Sequence, residues 1–157
     1  MKKIKWSELI IFIVSAELVG ALAGILAGNS FSFYQELVKP PLSPPGWLFP
    51  LTWAVLYALM GISAYVIHTS DADDDEKRSA FIIYGVQLAV NFFWTIAFFR
   101  LRSLGLSVGV ILLLLILIAA MILRFRHVSK AAAYLNIPYL LWTIFAAYLN
   151  IGVLVLN

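Results

Sequence analysis

Five apolar stretches, at residues 9–28, 47–67, 80–99, 104–123 and 131–156, take up most of the chain and decide what it can fold into. Each is long enough to cross a hydrocarbon core of ~30 Å at ~1.5 Å per helical residue. With 63% of residues hydrophobic, 12% charged and a mean hydropathy of +0.96, most of the surface must face lipid rather than water. A transmembrane β-barrel would alternate polar and apolar residues, and the run Leu112-Leu113-Leu114-Leu115-Ile116-Leu117 does not. The expected fold class is an all-α membrane protein. It is a single five-helix transmembrane domain over residues 1–157, with helices near 6–28, 46–68, 79–100, 104–125 and 131–156.

Lys2, Lys3 and Lys5 precede the first stretch and Ala21-Leu22-Ala23 lies within it, which superficially resembles a secretory signal and its cleavage site. Glu17 interrupts that stretch, it is longer than a signal core, and four more spans follow, so the reading is an uncleaved first helix. Lys2, Lys3, Lys5, Lys77, Arg78, Arg124, Arg126 and Lys130 fall on one side, and Lys39, Arg100 and Arg102 on the other. The positive-inside rule then predicts a multi-pass cell-membrane protein, with the N-terminus cytoplasmic and the C-terminus outside. The net charge of +3 belongs to this asymmetry and not to nucleic-acid binding. No cysteine is present, which excludes a disulfide framework, a thiolate metal site and a cysteine nucleophile. No internal repeat of the transporter kind is evident.

The 29–46 connection is long for so short a chain and carries Pro40, Pro41, Pro44 and Pro45. It is either a preorganised lid over a binding site or a proline-rich linker. Pro44 or Pro45 suits the first turn of the second helix, with Ser43 as its cap.

With helices alternating in direction, Asn91 lies about 18 Å from the inner face, Trp142 about 16 Å, Trp53 about 21 Å and Tyr57 about 15 Å. Helical spacing puts Trp53 and Tyr57 on one face, as it does Gln87, Asn91 and Thr95, and also Trp142, Ala146 and Asn150. The second, third and fifth helices could therefore line one cavity. Alternatively, Gln87 and Asn91 only join helices by hydrogen bonds, since an unpaired amide in hydrocarbon costs several kcal/mol. Trp6 and Trp47 suit a membrane interface, whereas Trp53, Trp94 and Trp142 lie deeper.

Gly20, Gly24 and Gly28 give two GxxxG spacings that permit close helix approach, within the bundle or in a dimer. Glu17 is near mid-membrane, either for a proton-linked function or as a protonated, hydrogen-bonded side chain. His68 and His127 are expected to be solvated at helix ends. The run from Asp71 to Glu76 lacks the glycine and closing glutamate of an EF-hand loop and reads as a solvated acidic loop. No phosphate loop, nucleophile elbow, zinc signature or paired catalytic carboxylates occur, so no metal site and no hydrolytic apparatus are expected.

Four ordered motifs carry a resemblance. They are Lys39-Pro40-Pro41-Leu42-Ser43-Pro44-Pro45-Gly46-Trp47, Trp53 to Gly61 (WAVLYALMG), Gln87-Leu88-Ala89-Val90-Asn91-Phe92-Phe93-Trp94, and Pro138 to Trp142 followed by Tyr148-Leu149-Asn150. Together they resemble the translocator protein and tryptophan-rich sensory protein family, also called peripheral-type benzodiazepine receptors, and in particular its bacterial members. The resemblance implies a five-helix bundle, often dimeric, that binds porphyrins and, in animal members, cholesterol and benzodiazepine-type or isoquinoline carboxamide ligands. By motif, Trp53 and Trp142 match the tryptophan pair linked to light-dependent breakdown of protoporphyrin IX. Tyr57, Asn91, Trp94, Ala146 and the segment from Pro41 through Pro44 and Pro45 to Trp47 match pocket or lid positions; Gln87 and Asn150 join them on helical spacing. No Lys or Arg follows Tyr148, which puts sterol binding in question.

The function expected is porphyrin binding in an intramembrane aromatic pocket, with slow light- and oxygen-dependent degradation, in a sensory or stress-protective role. A flat macrocycle can stack on aromatic faces while polar tips fix its edge, and Lys39 could attract a propionate. No cofactor is required, porphyrin being ligand or substrate, and the expected partners are hydrophobic small molecules, the bilayer and a second copy of the chain. A transporter of tetrapyrroles or other hydrophobic molecules, proton-coupled through Glu17, and a non-catalytic regulatory scaffold remain open alternatives.

Overall fold

The computed structural model describes residues 4–28 and 30–157, with Phe31 described by its backbone alone. Lys2 and Lys3, which enter the charge asymmetry, and Asn29 lie outside the described residues. The helices are α1 (Trp6–Ala27), α2 (Ser30–Glu36), α3 (Leu48–His68), α4 (Asp74–Thr95), α5 (Leu104–Val128), α6 (Lys130–Leu135) and α7 (Ile137–Leu156). A π-helical turn, Ile96–Arg100, extends α4. Among the described residues, five rods are long and apolar enough to cross a membrane: α1, α3, α4 with its π turn, α5, and α6 with α7. α1 packs on α3 and α4, α4 on α5, α5 on α6 and α7, and α6 closes the ring against α3.

Each span begins or ends for a local reason. The acidic run is not a free loop: Asp73 Oδ1 accepts the Glu76 backbone N–H at 2.7 Å, and Asp74, Asp75 and Glu76 form the first turn of α4. Carboxylates there complement the helix dipole, so the third span starts five residues before the expected 79. The fifth span breaks at Asn136, whose amide donates to Ser63 Oγ at 2.6 Å, and Pro138 then fits the start of α7 because it needs no backbone donor. α3 starts at Leu48, so Pro44 and Pro45 stand outside its first turn. Ser43 caps nothing there and donates to Pro40 O at 2.7 Å. The connection also contains α2, which sequence pattern alone did not suggest; its Phe33 and Tyr34 are buried. His68 sits 3.6 Å from Glu8, which also binds Lys5 at 3.0 Å.

Two apolar layers fill the ring. One, towards the end where α3 finishes, contains Met60, Ile67, Leu114, Ile118, Met121, Phe125 and Tyr139. The other, towards α2, contains Phe33, Trp94, Phe98, Ile111, Ala146 and Val153. The buried amides are joined across helices. Tyr139 Oη donates to Gln87 Oε1 at 2.8 Å and accepts from Asn91 Nδ2 at 2.9 Å. Asn150 accepts from Trp94 Nε1 at 3.0 Å and donates to Ser107 Oγ at 2.9 Å. In hydrocarbon such bonds hold polar groups that would otherwise have no partner.

Candidate ligand-binding cavity

Between α1, α3 and α4, beneath α2, lies a cavity of about 530 Å³. Its α1 wall consists of Glu17, Gly20, Ala21, Ala23, Gly24 and Ala27, whose helical spacing sets small side chains on one face. Gly20 lies directly against the Tyr57 ring, yet a Cβ at Gly24 would meet nothing within 4 Å. The glycine pattern therefore closes the helices together at one turn and leaves room at the next. α3 contributes Phe49, Trp53 and Tyr57 at intervals of four, and α4 contributes Trp94 and Thr95. The widened π turn sets Phe98 into the core and Phe99 on the cavity wall. Tyr34, Gly46 and Trp47 form the roof.

Trp53 is the hub of the aromatic set, with ring centroids 5.8 Å from Tyr57, 6.0 Å from Trp94 and 6.1 Å from Tyr139. The roof is tied down from several sides. Tyr34 Oη donates to Pro44 O at 2.8 Å, Tyr148 Oη to Pro41 O at 2.9 Å, and Asn157 brackets the Val38 backbone at 3.0 and 2.8 Å. Burial pushes the Tyr34 phenol above its ordinary pKa, with the Ser43 hydroxyl pulling the other way. Lys39 is engaged: its ammonium donates to the carbonyls of Tyr34, Gln35 and Leu37 at 3.0, 3.3 and 3.1 Å.

Of the positions singled out on the second and third helices and the roof, Trp47, Trp53, Tyr57, Trp94 and Thr95 meet in this cavity. Gln87 and Asn91 do not line it; both are fully buried one layer away on the Tyr139 hydroxyl. Ala146 and Asn150 line a separate void of about 30 Å³ behind Trp94 and Phe99. Trp142 stands behind Phe49, ring centroids 5.9 Å apart, with its indole N–H buried and without a partner among the described residues. Pro41 and Pro44 serve the roof through their carbonyls, and the Pro45 carbonyl accepts the Leu48 N–H at 3.0 Å where α3 begins; none of the three lines the cavity. The expectation that the second, third and fifth helices enclose one space is thus corrected: the first helix supplies the wall assigned to the fifth. Sequence reading missed Phe49, Phe99 and the α1 face. That face carries two signals in the sequence, the glycine spacing, which reads as packing, and Glu17, which reads as a candidate functional group.

A cavity between lipid-spanning helices, walled by aromatics and roofed by a proline-rich segment, is the setting in which the relatives become informative. The model of the TspO/MBR family matches residues 11–156. The Tryptophan-rich protein TspO of Chlorobaculum tepidum is 37% identical over 87% of this chain and 90% of its own. The Tryptophan-rich sensory protein of Cereibacter sphaeroides is 30% identical over 97% and 92%, and the Translocator protein of Ovis aries 36% over 80% and 75%. With the family model covering all five membrane helices and these relatives aligned along most of their length, the chain belongs to the TspO/MBR family.

Proposed function

We propose that the protein binds porphyrins, protoporphyrin IX among them, and similar flat hydrophobic ligands in the cavity between α1, α3 and α4, and degrades the porphyrin slowly under light and oxygen. The observation that carries this reading is the cavity itself: about 530 Å³, within the usual ~300–1,000 Å³ of ligand sites, with seven aromatic residues facing a wall of glycine and alanine. A small-residue wall accepts a disc edge to edge, and Trp53 and Trp94 offer rings to stack on it. Bound porphyrin would supply the absorbed light and its transfer to oxygen. Trp53, on the wall, is placed to exchange an electron with it, while Trp142 acts from behind Phe49. The charge asymmetry supports an orientation with the N-terminus cytoplasmic and α2 outside. Exposed Ile10, Leu18 and Leu22 on α1 are compatible with lipid or with a second copy of the chain.

Titration with protoporphyrin IX should quench tryptophan fluorescence, and loss of porphyrin absorbance under light should slow in the doubly substituted Trp53→Phe, Trp142→Phe protein. Identical rates would remove the degradation; absent quenching would remove binding. A second reading, a transporter of tetrapyrroles or other hydrophobic molecules, draws on Glu17 in the cavity wall. It requires gradient-dependent uptake into proteoliposomes that Glu17→Gln abolishes.

A further inference from the structure

Glu17 sits midway along α1, about 16 Å from either end of that helix, on the wall of the cavity. The other carboxylate of α1, Glu8, pairs with Lys5 at 3.0 Å and His68 at 3.6 Å. Glu17 has no ion-pair or hydrogen-bond partner among the described residues. Nor is a basic group within reach among the described residues. Lys39 is bound to three carbonyls, Arg102 lies over the Phe33 ring at 4.9 Å, and Arg100 stands beside Gly28, three helical turns from Glu17. No other lining residue is acidic or basic.

A carboxylate at this depth without a counter-charge is expensive, and a ligand that brings the charge removes the penalty. The walls around it favour the same ligand. Tyr57, against Gly20 and one turn from Glu17, leads to Trp53, Trp94 and Phe49, and the faces of such rings attract cations strongly once water is excluded. We propose that the cavity is a site for hydrophobic organic cations, aromatic amines or onium ions, with Glu17 as counter-charge and the Trp53–Tyr57 side of the cavity as the aromatic cradle. This goes beyond porphyrin binding and does not rest on it, since a protein that left porphyrin unbound would still pass the following test.

The probes are tetraphenylphosphonium and tetraphenylborate, equal in shape and opposite in charge, titrated by tryptophan fluorescence against the full chain in detergent. Comparison of wild type with Glu17→Gln cancels the unequal partition of the two ions into micelles. Cation affinity should fall about tenfold or more in E17Q while anion affinity holds or rises, and Glu17→Asp should restore part of the cation affinity. Unchanged cation affinity in E17Q overturns the proposal. If E17Q loses both probes through misfolding, the wild type decides: a hydrophobic carbodiimide should label Glu17, read by mass spectrometry of the peptide, and tetraphenylphosphonium should protect it. Labelling indifferent to the cation, or no accessible carboxyl at Glu17, overturns it equally.

Discussion

Helices α1 and α3 lie side by side, yet their two ends behave in opposite ways. Near the end of α3, Gly61 brings the backbones into contact: a Cβ there would stand 2.6 Å from Ile13 Cα and 2.7 Å from Phe12 O. About three turns along α1, Gly24 faces open space and the same pair of helices encloses the cavity. One region is close-packed, backbone against backbone; the other is walled by small residues and held by roof contacts such as Tyr148 to Pro41. A missing side chain therefore draws helices together where the neighbour is backbone, and makes room where large aromatics on α3 and α4 hold the neighbours away.

The strongest way to break this contrast is Gly61→Val. Because the atoms it would strike are main chain and cannot rotate aside, we expect a loss of about 3 kcal/mol or failure to fold, read by thermal melting in detergent. Gly24→Phe should do the reverse, leaving melting nearly unchanged while filling the cavity. Protoporphyrin IX affinity should then fall about tenfold or more, ~1.4 kcal/mol. A Gly24→Phe protein that bound porphyrin normally would move the site elsewhere. Tyr139→Phe leaves Gln87 and Asn91 without their shared hydroxyl and should cost about 1 kcal/mol of stability, with little change in ligand affinity. Smallest of all, Tyr148→Phe removes one exposed roof contact. Stability should change by less than about 0.5 kcal/mol, and ligand dissociation should quicken roughly two- to fivefold in stopped-flow measurements.

Much of the architecture is legible in the sequence. Five runs of apolar residues longer than a bilayer is thick leave few alternatives, and alternating helices with a fixed rise per residue put Trp53, Tyr57, Asn91 and Trp142 near one depth. Of those four, Trp53 and Tyr57 line the cavity, whereas Asn91 is held by Tyr139 and Trp142 stands behind Phe49, because depth alone does not say which way a helix face turns. Gln87 and Asn91 read as amides that need partners on neighbouring helices, and both meet the Tyr139 hydroxyl; Asn150, placed on a cavity face by spacing, binds Trp94 and Ser107 instead. Tyr139 carried a signal, lying after Pro138 within a recognised motif. Only its position between two amides gives it a role. The acidic run misled because a helix N-terminus and a solvated loop share the same composition.

What the sequence determined by itself was the solvent, the number of membrane helices and the family, since apolar length and ordered motifs are local properties of the chain. Only the tertiary structure decided which helices enclose the cavity. α1, with its row of small residues and Glu17, forms the wall, while Trp142, Ala146 and Asn150 stand outside it. The reason is physical: a glycine-rich face fits contact and vacancy equally well, and the choice between them rests with the bulk of whatever residues the fold brings opposite.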